Sequence, residues 1–105
     1  MAKKLLLLIF LCLTTAVFSQ KTLQKLATAP NPFYSSTTIS FKSTSKQPVF
    51  LIIKNLLGKT VYKKAHTTKV GKNTIVFNRN NFQAGMYIYA IRSRKEVISK
   101  RFVIK

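Results

Sequence analysis

The feature that most constrains this chain is a short-period alternation of apolar residues, interrupted by turn-forming residues at roughly eight- to twelve-residue intervals. Ile39 and Phe41 stand two apart with polar neighbours, and so do Ile75 and Phe77. Tyr87, Tyr89 and Ile91 share one face of another stretch, while Met86, Ile88 and Ala90 take the opposite face. Val49–Ile53 is apolar at every position, the pattern of a central strand covered on both faces, or on one face by an adjacent sheet edge. No stretch beyond the leader places apolar residues at three- and four-residue spacing between caps, so helices are not expected. About seven such strands predict an all-β fold, a small immunoglobulin-like antiparallel β-sandwich.

The punctuation between strands is as informative as the strands. Pro30 and Pro32 flank Asn31, which forbids helix and fixes an extended corner, and Phe33 just beyond it is expected to plug one end of the core. Asn55-Leu56-Leu57-Gly58-Lys59 carries a hairpin signal, with Asn55 opening the turn and Gly58 closing it. Val61 is expected to point inward from the return strand Thr60–Lys64, and residues 66–72 to form a polar loop. Phe82 anchors the loop before Gly85, and residues 96–105 form a last strand with less regular alternation.

Residues 1–19 read as a secretory signal peptide that is cleaved: Lys3 and Lys4 precede the apolar run Leu5–Leu13, and Ser19 supplies the small residue before the cut. Thr14 and Thr15 end that run short of the roughly 20 residues a spanning helix needs, so the mature chain is not expected to cross a membrane. The single cysteine, Cys12, lies inside the leader, which excludes disulfides and thiolate metal sites from the mature protein. Residues 20–28 are expected to be a short lead, and residues 29–105 the domain proper.

Charge and chemistry narrow the function. The full sequence carries 19 basic side chains, one acid and a formal net charge of +18; Lys3 and Lys4 leave with the leader, so 17 remain against Glu96. Such an excess attracts polyanions, although lysines spread evenly over strands also serve to keep sheet edges apart. One histidine, His66, one glutamate and no aspartate cannot assemble a carboxylate pair, a metal site or an oriented triad, and no glycine-rich phosphate loop is present. The chain therefore reads as a non-enzyme with no cofactor and no metal. Specific nucleic-acid recognition is not expected either, because most aromatics alternate in register with the aliphatic core.

Ala29-Pro30-Asn31-Pro32-Phe33, followed by Thr37–Phe41, resembles the opening of the type A C-terminal sorting domains of the type IX (Por) secretion system of the Bacteroidetes. The stretch Val49–Val61, with Asn55 and Gly58, is similar to that family's central hairpin. Phe82–Tyr89, with Gly85 and Tyr87, is similar to its glycine–tyrosine strand, and Lys100-Arg101-Phe102-Val103-Ile104-Lys105 to its basic and aliphatic ending. The resemblance implies a seven-stranded, monomeric sandwich that serves as an export signal, reaching the surface through the periplasm and outer membrane. Its implied partners are the outer-membrane translocon and a surface sortase, which in many members removes the domain and joins the cargo to anionic lipopolysaccharide. Pro30, Asn31, Pro32, Phe33, Asn55, Gly58, Gly85, Tyr87, Lys100, Phe102, Val103, Ile104 and Lys105 are the sorting-motif candidates that it implies. The chain departs from the family's pattern in Asn55, where aspartate is frequent, in carrying almost nothing ahead of the domain, and in its basicity.

Overall fold

The computed structural model describes residues 21–105; the expected signal peptide and Cys12 lie outside the described residues. Seven strands follow one another in the chain: β1 (Leu23–Ala29), β2 (Ser36–Ser43), β3 (Pro48–Lys54), β4 (Thr60–Thr67), β5 (Gly71–Asn78), β6 (Gly85–Arg92) and β7 (Val97–Ile104). They form two sheets, ordered β1-β2-β5 and β4-β3-β6-β7, and every pairing between strands is antiparallel. The alternation read from the sequence is thus a β-sandwich, and no helix among the described residues is long and apolar enough to cross a membrane.

The two inner faces interlock as the side-chain period requires. Ile39 and Phe41 of β2 meet Ile75 and Phe77 of β5 from one sheet; Val49, Leu51 and Ile53 of β3, Tyr89 and Ile91 of β6, and Phe102 and Ile104 of β7 come from the other. Phe102 is stacked on Tyr89 with ring centroids 5.2 Å apart, and meets the ring of Phe33 edge-on at the same separation. Burial pushes the Tyr89 phenol above its ordinary value, as an apolar surrounding disfavours the phenolate. On the outer face of β3, Ile52 is still buried and Phe50 lies under the Lys63 ammonium, 4.3 Å from the ring centroid. A long basic side chain thus screens an apolar one, which is why an all-apolar strand is compatible with a solvent-facing sheet.

Four features add to or correct the sequence reading. Residues 23–28, expected as part of a lead, belong to β1, the outer strand of the three-stranded sheet, with Leu23 and Leu26 in the core. Three-residue spacing would put them on opposite faces of a regular strand. A register shift between Gln24 and Ala27, with Lys25 at φ 57°, inserts a residue and turns both inward. In β4 a second register shift pairs Tyr62 with Ile53, and Val61, expected to point inward, packs half-buried against the core beside it. That strand runs on to Thr67, so His66 is a strand residue: half-buried, with its Nε2 3.5 Å from Asn73 Oδ1 and its ring edge-on to Phe41. Finally, the peptide bonds before Pro30 and Pro32 are both cis.

Antiparallel connectivity sorts the loops to two ends. Residues 21–22, the β2–β3 loop, the β4–β5 loop and the β6–β7 turn lie at one, tied together by bonds from Thr44 N–H to the Thr22 carbonyl (3.0 Å) and from Thr68 N–H to the Gln47 carbonyl (2.9 Å). Residues 30–35, the β3–β4 turn, the β5–β6 loop and residue 105 lie at the other. These are called the Thr22 end and the Phe33 end below.

Candidate functional site

The Phe33 end is where the sequence candidates meet. Phe33 leaves the β1–β2 connection and bridges Ile104 in parallel: its N–H donates to the Val103 carbonyl (3.0 Å), and the Lys105 N–H donates to its own carbonyl (2.8 Å). Its ring is 2 % exposed and packs edge-on against Phe77 and Phe102. Asn31 supplies the next bond along β7, accepting from the Val103 N–H at Oδ1 (2.9 Å) and donating from Nδ2 to the Arg101 carbonyl (3.4 Å). The outward edge of β7 from Arg101 to Lys105 is thereby capped by side chain and main chain in turn, which shortens the free strand edge that would otherwise template pairing. Pro30 is held from below, its carbonyl accepting from the buried Thr37 hydroxyl at 2.7 Å. A rigid proline corner is suited to this duty because it has few alternative conformations to lose.

β6 provides the other flank. Gly85 pairs with Ile104, Met86 with Val103 and Tyr87 with Phe102. Tyr87 half-buries its ring against Phe82 and Phe102 and donates its hydroxyl to the Gln83 carbonyl at 2.8 Å, pinning the loop from which β6 rises. Phe82 in turn meets Tyr62 and Phe77, so aromatic rings run without a break from Tyr62 to Phe33 beneath this end. Tyr62, Asn80, Asn81 and Phe82 line a surface depression of about 310 Å³.

The β3–β4 turn completes the end. Asn55 Oδ1 accepts from the N–H groups of Leu57 (3.0 Å) and Lys59 (3.1 Å), its main-chain carbonyl accepts from Gly58 N–H (3.0 Å), and Gly58 holds φ 85°. Asparagine accepts in the way an aspartate would, so the departure at this position leaves the turn intact. Lys100 is the one candidate that lies away from this cluster. It sits mid-strand opposite Tyr89 in inner-face register, yet is exposed because β7 is an edge strand. Lys64 of β4, the other edge of that sheet, stands opposite Leu51 and is likewise exposed.

Two residues outside the candidate set matter as much. Arg79 donates from its main-chain N–H to Ser35 (2.8 Å), from Nε to the Phe82 carbonyl (2.9 Å), and from Nη1 to the carbonyls of Tyr34 (3.3 Å) and Lys105. Its fork of donors finds these oxygens only because the fold brings residues 34, 79–82 and 105 to one end. Glu96 does the converse at the Thr22 end. Its carboxylate accepts from the N–H of Thr22 (3.0 and 3.1 Å) and of Leu23 (2.8 Å) and from the Thr22 hydroxyl (3.1 Å). Partial burial pushes this carboxyl up, but those bonds and the nearby Lys21 outweigh it and leave the group below its ordinary value. His66 leans on Asn73 and Phe41 and Glu96 on Thr22 and Leu23, so the two do not form a catalytic pair. No group of three or more metal-ligating side chains occurs among the described residues.

Fold and site together define a class: a small all-β domain whose last strand is locked by the corner between its first two. The chain belongs to the family described as "Secretion system C-terminal sorting domain", which matches residues 28–105. That domain is the export signal of the type IX secretion system, a targeting module and not a catalyst. The chain accordingly has a sorting role, interacts with that system's machinery, and is exported across the outer membrane to the cell surface or beyond. Among solved structures, it is similar to a beta-glucosidase from Listeria innocua, both free and in complex with glucose. Identity is 12% in both cases and the TM-scores are 0.41 and 0.42, over 83% of this chain and 17% of that one. No curated protein matches.

Proposed function

We propose that the type IX translocon reads the Phe33 end directly, and that the domain is a passive tag whose surface, not any chemistry, is its function. The observation that carries this reading is the convergence of Pro30–Phe33, Asn55, Gly58, Gly85, Tyr87 and Phe102–Lys105 on one end from four separate parts of the sequence. Phe33, Phe102 and Ile104 are buried and hold this end in shape, so the surface they support is what a receptor would meet. After export, a surface sortase acts on the domain, and the basic surface favours anionic lipopolysaccharide nearby.

The test is a fusion of residues 20–105 behind a reporter that has its own signal peptide, in a host with a working type IX system. Release of the reporter to the surface or medium, and its retention in the periplasm of a host lacking the translocon, are expected. Periplasmic retention in the competent host refutes the sorting role.

A second reading rests on the 17 basic side chains outside the leader: a free-standing secreted β-protein that binds anionic glycan or lipopolysaccharide. It requires the mature chain to persist intact on the surface. The mass of the surface product separates the two, because a sorted and processed domain is removed.

A further inference from the structure

We infer that Leu56 and Leu57, at the tip of the β3–β4 turn, are the apolar knob by which this domain enters a pocket on its export receptor. The inference rests on the sorting role proposed above and specifies the contact. Leu57 is 92 % exposed and Leu56 64 % exposed, although turn tips in small domains are normally polar. Neither leucine belongs to the core, and the turn owes its shape to Asn55 and Gly58, so folding does not explain them.

The same bonds make the tip stiff. The Leu57 N–H is fixed by Asn55 Oδ1 and the Gly58 N–H by the Asn55 carbonyl, so the two side chains are presented on a preorganised backbone. A narrow, rigid pair suits a preformed pocket in a protein better than a bilayer, whose adhesion draws on a broad apolar face. Lys54 and Lys59 flank the turn and no acid lies near it in the chain, so the complementary pocket is apolar with an acidic rim. The turn also lies at the end that gathers the other sorting candidates, giving one continuous docking region.

The reporter fusion tests this with the double variant Leu56→Ser/Leu57→Ser. Burial of one leucine contributes about tenfold in affinity, so export is expected to fall at least about tenfold while the thermal midpoint stays that of the parent. Export of the variant at the parental rate overturns the inference and leaves the sorting role standing. Failure of the parent fusion itself to leave the periplasm overturns both. A photo-reactive benzoylphenylalanine in place of Leu57 is expected to cross-link in the secreting cell to a type IX outer-membrane component. The same group in place of Val70, 70 % exposed at the opposite end, is not. Equal adducts from both positions, leucine-dependent dimers in sedimentation, or leucine-dependent binding to phosphatidylglycerol vesicles would each overturn it, naming a non-specific contact, a second copy or a lipid surface instead.

Discussion

Glu96 offers a clean measurement because the sequence has no other acidic side chain. Its carboxylate takes the two N–H groups that open β1 and the Thr22 hydroxyl, fastening the first strand to the β6–β7 turn. Hydrogen bonds to a charged group contribute about 1.5–3 kcal/mol each when buried. This carboxylate is only partly buried, and solvent screening brings the whole set to about 1–2 kcal/mol. Glu96→Gln keeps an acceptor but removes the charge, at a cost of about 1 kcal/mol, and in a domain of this size that lowers the thermal midpoint by about 4–8 °C. The pH dependence carries the sign. The folded carboxyl lies below its ordinary value near 4.5, so its contribution is present in full above that value and is lost as pH falls through the lower, folded value. Unfolding followed by circular dichroism from pH 7 to pH 3 should therefore show the parent losing its advantage over Glu96→Gln only in the acid range. Parallel curves for the two proteins at every pH, or a variant as stable as the parent at pH 7, would refute the role given to this carboxylate.

Five further outcomes follow from the same geometry. Phe33→Ala empties a site between Phe77 and Phe102 and should cost about 3–5 kcal/mol, enough to unfold much of so small a domain in a urea titration. Gly58→Ala meets no neighbouring atom within 4 Å, so its cost is the conformational one of φ 85°, about 1 kcal/mol, seen as a modest drop in midpoint without aggregation. Lys64→Val turns an inward-facing edge charge into a strand former, and light scattering at high concentration should report association that the parent lacks. Removal of residues 102–105 takes away Phe102 and Ile104 and the partners of Phe33, and should abolish export in the reporter fusion. Asn31→Ala, which forfeits two hydrogen bonds to β7 and about 1 kcal/mol, separates recognition from collapse. If the folded Asn31→Ala protein is exported at the parental rate, the corner serves only to hold the strand.

The strands that alternate without defects were legible as they stand. β2, β5 and β6 fall where apolar residues stand two apart, and β3 where five stand in a row, although its outer face is screened only by a lysine at Phe50 and not covered by a second layer. The β3–β4 turn was equally plain, because Asn55 and Gly58 act through their own local chemistry. β1 was hidden by its bulge, since Leu23 and Leu26 share a face only after Lys25 is inserted between them. β7 looked irregular because Lys100 occupies an inner-face position that an edge strand leaves open to water.

Local pattern therefore determined the fold class and the positions of most strands. It determined nothing about company. That Asn31 would cap β7 some seventy residues later, that Arg79 would gather three carbonyls, and that Glu96 would hold the start of β1 depend on how two sheets are laid over one another. A single carboxylate or guanidinium in the sequence has no preferred partner among dozens of backbone groups. Only sheet order and register bring particular N–H and C=O groups within reach, and those are set by burying the whole apolar face at once.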